Sequence, residues 1–355
     1  VKRLDKLRDM FAELGIDAML ITNDQNRRYM TGFTGTAGLV LVTKEEAFLV
    51  VDFRYVDQAT EQAKAFSIIE VSTKADLLEE IVRQTDRLKV AKLGFEQNHV
   101  NYYSYTEYNE RINAEMIPLS NAIESLRMIK DKEEIAAIKT AAEIADAAFT
   151  QLLDFIRPGV TEIEVSNELE FYMRKQGATS SAFDIIVASG FRSAFPHGVA
   201  SNKKIEKGEM ITLDFGAYYQ GYRSDITRTV AVGEPNNDLK GIYTIVFEAL
   251  SKALSSIKPG ILGKEADAFS RDYITEKGYG KQYGHGSGHG IGLDIHEEPF
   301  KNANCEIRLQ PGMVLTVEPG IYIPKLGGVR IEDDILITQD GNEVLTHSPK
   351  ELIIL

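Results

Sequence analysis

The chain has 355 residues, 43% hydrophobic and 26% charged, with a formal net charge of -13; this is ordinary globular composition at a length that suits two domains better than one. The acidic balance argues against nucleic acid as a partner, because phosphate attraction needs basic surface. A single cysteine, Cys305, excludes an intrachain disulfide and a thiolate metal cluster.

The opening VKRLDKLRDMFAEL has the pattern of an amphipathic helix, not of a signal sequence, and no apolar run reaches the length that crosses a bilayer. The expectation is a cytoplasmic protein with no membrane partner. Short apolar runs rich in Val, Leu and Ile predict strands at 17–22, 38–43, 47–52, 66–71 and 90–95. Helical patterns fall between them at 53–64, 75–87 and 101–113. The first third is therefore an α/β unit; it has no phosphate-binding loop, and no catalytic site is expected there. Pro118 is expected to end its last strand-like run. The boundary is drawn between residues 1–122 and 123–355.

Asp131 with Glu134 makes a capping box for a long helix expected to reach Ile156, and Arg157-Pro158-Gly159 stops it. Thr161 with Glu164 caps the next helix, to about Lys175. The chain then repeats itself: Arg157-Pro158-Gly159-Val160 returns as Lys258-Pro259-Gly260-Ile261, and GEMITLDFG at 208–216 as GMVLTVEPG at 312–320. Asp214 thereby falls on Glu318 and Thr212 on Thr316, while Arg223-Ser224-Asp225 falls on Arg330-Ile331-Glu332. Each half reads as two helices followed by strand, turn and strand.

A hairpin centred on Tyr219 and Gln220 sets Asp214 opposite Asp225. Two such charges at about 4 Å and an effective dielectric near 20 repel by about 4 kcal/mol, so they need compensation. Glu318 and Glu332, each in a strand-like setting, pose the same problem in the second half. Either some of these acids stay protonated or cations neutralise them. Four carboxylates balance two divalent ions, and a neutral histidine adds a nitrogen ligand. Water held between two such ions ionises near neutral pH. Three of the six histidines, His285, His289 and His296, lie in YGHGSGHGIGLDIHEEP at 283–299, where closely spaced glycines allow near approach of the backbone. The alternation before His296 suits a strand, His197 follows Pro196 in a loop, and His99 and His347 are expected in solvent.

The motifs DFGAYYQGYRSDITRT, GHGSGHGIGLDIHEEP, TVEPGIY and GGVRIEDDI together resemble the M24 metallopeptidases of the pita-bread fold, in the Xaa-Pro dipeptidase (prolidase) and aminopeptidase P branch. The resemblance implies an α/β creatinase-like N-terminal domain and an α+β pita-bread catalytic domain with an internal pseudo-twofold duplication. It implies two divalent ions, manganese first, with cobalt, zinc or iron also suited. Asp225 resembles the ligand chelating one ion, Asp214 and Glu332 the bridging carboxylates, and His289 and Glu318 the remaining ligands. Glu318 also resembles the proton shuttle. His197 and His296 match histidines that contact the substrate and stabilise the tetrahedral intermediate. His285 and Arg330 match residues of the pocket beyond the scissile bond, and Tyr322 a supporting tyrosine of that substrate-binding set. The implied reaction is hydrolysis of the imide bond of Xaa-Pro dipeptides by a metal-bridging hydroxide, with Xaa-Pro aminopeptidase action on longer peptides as the alternative. A methionine aminopeptidase or a non-catalytic binding protein of this fold fits less well. Such proteins are commonly homodimers; Asp52-Phe53-Arg54-Tyr55 is read as a helix cap in preference to a dimer contact.

Overall fold

Runs of β-branched and leucine side chains at 39–43 and 47–52 build the middle of a six-stranded sheet in the first of two units, which ends at Arg127. The computed structural model describes residues 2–355, so Val1, where the first expected helix begins, lies outside the described residues. In chain order the unit comprises α1 (Lys2–Asp9), α2 (Phe11–Leu14), β1 (Ala18–Ile21), α3 (Asp24–Thr31), β2 (Leu39–Thr43), β3 (Ala47–Asp52), α4 (Val56–Gln62), β4 (Ser67–Val71), α5 (Leu77–Arg87), β5 (Lys92–Glu96), α6 (Tyr102–Arg111), β6 (Glu115–Leu119) and α7 (Ala122–Arg127). The sheet order is β4-β3-β2-β1-β5-β6. Leu20, Leu41, Val50 and Leu93 fill its core.

Three local features differ from, or sharpen, the expectations. The polar stretch of α3 carries no apolar stripe, so its helix was not expected; the Asn23 side chain caps it by accepting from Asn26 N. Pro118 does not end its strand, since β6 is an edge strand and the missing N–H takes no bond from the ladder. Asp52 accepts from Arg54 N at 3.1 Å and caps a short 3-10 turn at Phe53–Tyr55. The unit runs on through α7 because Tyr29 donates to Leu126 O and Arg127 to Asn26 Oδ1.

The second unit, Met128–Leu355, is the duplicated part. Its first half is α8 (Lys132–Leu152), α9 (Glu162–Lys175), β7 (Ser180–Ser181), β8 (Ile186–Ser189), β9 (Met210–Phe215), β10 (Ala217–Tyr219), β11 (Tyr222–Arg223) and β12 (Ile226–Ala231). Its second half is α10 (Asn237–Ser256), α11 (Gly263–Glu276), β13 (Gly288–Gly290), β14 (Glu297–Lys301), β15 (Val314–Val317), β16 (Gly320–Ile323), β17 (Gly327–Arg330), β18 (Asp333–Ile337) and β19 (Asn342–Val344). Both expected capping boxes are made, at Asp131 with Glu134 and at Thr161 with Glu164. Helix α8 stops at Leu152, short of Ile156, because Phe155 N and Ile156 N fold back onto Leu152 O. Each half has its own core, one around Phe149, Val187 and Phe215, the other around Val246, Leu315 and Val329. Among the described residues no helix is long and apolar enough to cross a membrane.

The hairpin register differs from the expected one. Tyr219 pairs with Tyr222, so the turn is Gln220-Gly221, both at positive φ (48° and 89°). That is the mirror-image two-residue turn favoured between twisted strands, and it shifts the centre by one position. Asp214 therefore faces Thr227, and Asp225 lies diagonal to it, just ahead of β12. Glu318 and Glu332 were expected inside strands. Instead, each sits just off a strand end, where Pro319 ends pairing after β15 and where the chain leaves β17 for β18. Residues 291–296 bend where a strand was expected, and pairing resumes at Glu297.

Candidate metal centre

Strand β13 runs between β14 and β15. A Cβ on Gly288 (φ 145°) would lie 2.2 Å from Thr316 O, and one on Gly290 would lie 2.3 Å from Glu298 O. Glycine on both sides of His289 is what lets this strand fit. His289 N donates to Thr316 Oγ1 at 3.1 Å, and Nδ1 stands 2.9 Å from Gly290 O. A carbonyl only accepts, so the ring proton resides on Nδ1 and Nε2 presents its lone pair. Nε2 lies 3.6 Å from both Asp225 Oδ2 and Glu318 Oε1. Burial pushes the imidazole down to about 4, which keeps it neutral and ready to ligate.

Donor atoms of Asp225, His289 and Glu332 all lie within 4.8 Å of one another. Burial, and then repulsion from Glu332 and Asp214, holds the Asp225 carboxyl well above the usual range. Burial and then Glu318 and Asp214 do the same to Glu332. Asp214 Oδ1 and Asp225 Oδ1 are buried without a hydrogen-bond partner among the described residues. Converging acids, orphaned oxygens and a neutral imidazole lone pair would be satisfied together by divalent cations, and the donor set fits them.

Behind the acids runs one chain of donors. Arg330, 3% exposed, donates from Nη2 to Asp214 Oδ2 at 2.6 Å, from Nη1 to Tyr322 OH at 2.9 Å and from Nε to Thr227 Oγ1 at 3.1 Å. Thr227 Oγ1 donates to Glu332 Oε2 at 2.6 Å. His285 Nδ1 faces Gly286 O, so its Nε2 accepts from Tyr322 OH at 2.9 Å. Burial pushes the Tyr322 hydroxyl up to about 12. His285, Tyr322 and Arg330 thus line the cavity while spending much of their hydrogen-bonding capacity on each other and on the acids.

The cavity holds about 510 Å³ and takes in all the sequence-predicted site residues: His197, Asp214, Asp225, His285, His289, His296, Glu318, Tyr322, Arg330 and Glu332. His197 and His296 are exposed at it, and the His296 ring centre is 4.4 Å from that of His289. Phe183, Pro196, Val199, Ile295 and Phe300 supply an apolar wall. His99 and His347 are exposed, as expected.

Four residues at the site escaped the sequence reading. Thr227 and Asp334 each stand two positions beyond a predicted ligand, which in a strand means the same face; that spacing was the available signal. Thr316 Oγ1 lies 3.3 Å from Glu318 Oε1 as well as accepting from His289 N. Lys301 is fully buried, with Nζ 3.1 Å from Ser287 O, the carbonyl that also accepts from Glu318 N. Burial pushes its ammonium down to about 8. No sequence signal marks a lysine that a strand turns inward.

Comparison with known proteins identifies the family and the fold. Residues 136–339 match Metallopeptidase family M24, and residues 3–129 match the Creatinase/Prolidase N-terminal domain. An uncharacterized peptidase of Bacillus subtilis is 56% identical over 359 residues, covering 99% of this chain and 100% of that protein. The solved Xaa-Pro dipeptidase from Bacillus anthracis is 60% identical with a TM-score of 0.98, covering 100% of this chain and 99% of that one. The solved X-Pro aminopeptidase from Thermotoga maritima is 39% identical with a TM-score of 0.91, covering 98% and 100%. The chain belongs to metallopeptidase family M24, with a creatinase-type N-terminal domain ahead of a pita-bread catalytic domain.

Proposed function

We propose that this metallopeptidase is an Xaa-Pro dipeptidase. The observation that carries the reading is the full-length likeness to the Bacillus anthracis dipeptidase, joined to the buried cluster of Asp225, His289 and Glu332. Asp214, Asp225, His289, Glu318 and Glu332 would hold two divalent ions, with manganese the expected metal. Held by these residues, such ions would supply acidified water and Lewis-acid polarisation of the scissile carbonyl.

The chain's own groups do the rest. Glu318, partly open to the cavity and steadied by Thr316, takes the proton of the attacking water on its carboxylate and passes it to the imide nitrogen. That transfer matters because the proline nitrogen carries no N–H and leaves badly unprotonated. His296 and His197 donate to the carbonyl oxygen as it gains charge. The apolar wall suits the pyrrolidine ring and excludes water beside it. Arg330 and Tyr322 hold Asp214 and His285 at the far side of the pocket. We propose a homodimer located in the cytoplasm; light scattering of the purified chain tests the dimer, and cell fractionation the location.

Likeness to the Thermotoga maritima aminopeptidase favours a second reading, release of the first residue from longer Xaa-Pro peptides. Rates on Ala-Pro, Ala-Pro-Ala and Met-Ala-Ser separate the cases. Ala-Pro is expected to be fastest; faster Ala-Pro-Ala would assign the aminopeptidase, and preference for Met-Ala-Ser would remove proline from the assignment.

A further inference from the structure

The two halves of the catalytic domain meet along the segments that carry Asp225 and Glu332. Asp225 N donates to Asp334 Oδ2 at 2.8 Å. Glu332 N donates to Thr227 O at 3.1 Å, and Thr227 Oγ1 to Glu332 Oε2 at 2.6 Å. Thr229 Oγ1 donates to Arg330 O at 2.9 Å. The partners descend on one segment as they climb on the other, so the segments run antiparallel through the centre. Thr227 and Asp334 are both fully buried. The alignment that sets Asp225 on Glu332 also sets Thr227 on Asp334.

We infer that Thr227 and Asp334 are reciprocal positioning residues: each lies two positions beyond a ligand acid of its own half and holds the ligand acid of the other half. This rests on the proposed reading of Asp225 and Glu332 as metal ligands.

The two braces differ in chemistry. A threonine hydroxyl has one proton; Thr227 spends it on Glu332 and accepts from Arg330 Nε, which itself holds Asp214. Asp214, Arg330, Thr227 and Glu332 therefore form one hydrogen-bonded chain linking the two acids read as bridging. Asp334 instead grips the Asp225 backbone and leaves the Asp225 side chain alone. Among the described residues Asp225 Oδ1 has no hydrogen-bond partner, and Oδ2 lies 3.6 Å from the His289 imidazole, so the carboxylate stays open to a cation. The halves thus fix one acid by its carboxylate and the other by its main chain. Removing the Thr227 hydroxyl frees the Glu332 carboxylate to turn and releases Arg330 Nε, loosening both acids at once. Outer groups of this kind typically change metal affinity by about 10–100-fold.

The test is Mn²⁺ titration by calorimetry on the full chain stripped with chelator, with folding checked by circular dichroism. Thr227→Val, nearly isosteric, is expected to bind at least one Mn²⁺ about 10–100-fold more weakly than wild type. Thr227→Ser keeps the hydroxyl and is expected to stay near wild type. Asp334→Asn keeps an acceptor oxygen and is expected to do the same, whereas Asp334→Ala weakens binding. Wild-type affinity in folded Thr227→Val would overturn the inference. So would a loss in Thr227→Ser equal to that in Thr227→Val, because packing rather than the hydroxyl would then be at work. A wild-type chain that binds no Mn²⁺ would instead overturn the metal centre itself.

Discussion

Arg330 Nη2 stands 2.6 Å from Asp214 Oδ2 inside the catalytic domain, a buried ion pair directly behind the candidate metal centre. Breaking such a pair leaves an uncompensated charge and costs about 3–5 kcal/mol. We expect Arg330→Met to lose stability on that scale in chelated protein, read by urea unfolding, and less in Mn²⁺-loaded protein, where cations neutralise Asp214. Arg330→Lys is expected to cut kcat/KM at least tenfold, because a point charge does not serve Asp214, Tyr322 and Thr227 together. An equal loss of stability with and without metal would show that Asp214 does not face the ions.

Chelation is expected to abolish turnover and Mn²⁺ or Co²⁺ to restore it. Ions that bind only the folded chain also stabilise it, by about 2.7 kcal/mol at a concentration 100 times Kd. The melting temperature should therefore rise with added Mn²⁺ and fall with chelator. Full activity in demonstrably metal-free protein would refute the centre.

Asp225→Asn removes a carboxylate that burial and neighbouring acids already disfavour. Turnover is expected to fall by about two orders of magnitude or more, as for loss of a group central to metal affinity. The metal-free fold should be no less stable than wild type, since repulsion from Glu332 and Asp214 is relieved. A near wild-type rate removes Asp225 from the ligand set.

Lys301 provides the pH dependence. Burial pushes its ammonium down to about 8 in the fold, from an ordinary lysine value of about 10.5 in the unfolded chain. Below pH 8 both folded and unfolded chains carry the proton, and the buried charge destabilises the fold in full. Between those values the unfolded chain binds more protons, so stability rises with pH, by up to about 3 kcal/mol across the window. Lys301→Met is expected to be more stable at pH 7 and to lack that rise, as read by denaturation at pH 7, 8, 9 and 10. Parallel curves for the two proteins would show that Lys301 does not titrate there.

Much of the fold was legible because its signals are local. Asp131 with Glu134 and Thr161 with Glu164 satisfy helix N-termini using residues three apart, so spacing alone reveals them. The five strands expected in the first unit stand out by composition. Helix α3 did not, because Asn26 and Arg27 are buried by polar partners outside the helix, Glu96 far along the chain for one and Gly35 O in the following loop for the other. The ten candidate site residues could be named from motifs, yet their bonding could not: Arg330 lines the cavity, and only the folded chain reveals its hydrogen bonds to Asp214, Tyr322 and Thr227.

The sequence by itself determined the two-part organisation, the duplication and the identity of the acids and imidazoles, since these rest on composition, caps and motifs within short stretches. Tertiary structure alone decided how those groups meet. The positive φ of Gln220 and Gly221 moved Asp214 from Asp225 to Thr227, and the joining of the two halves set Thr227 on Glu332 and Asp334 on Asp225. Each of those bonds spans more than a hundred residues and exists only once both halves are folded, so no local pattern encodes it.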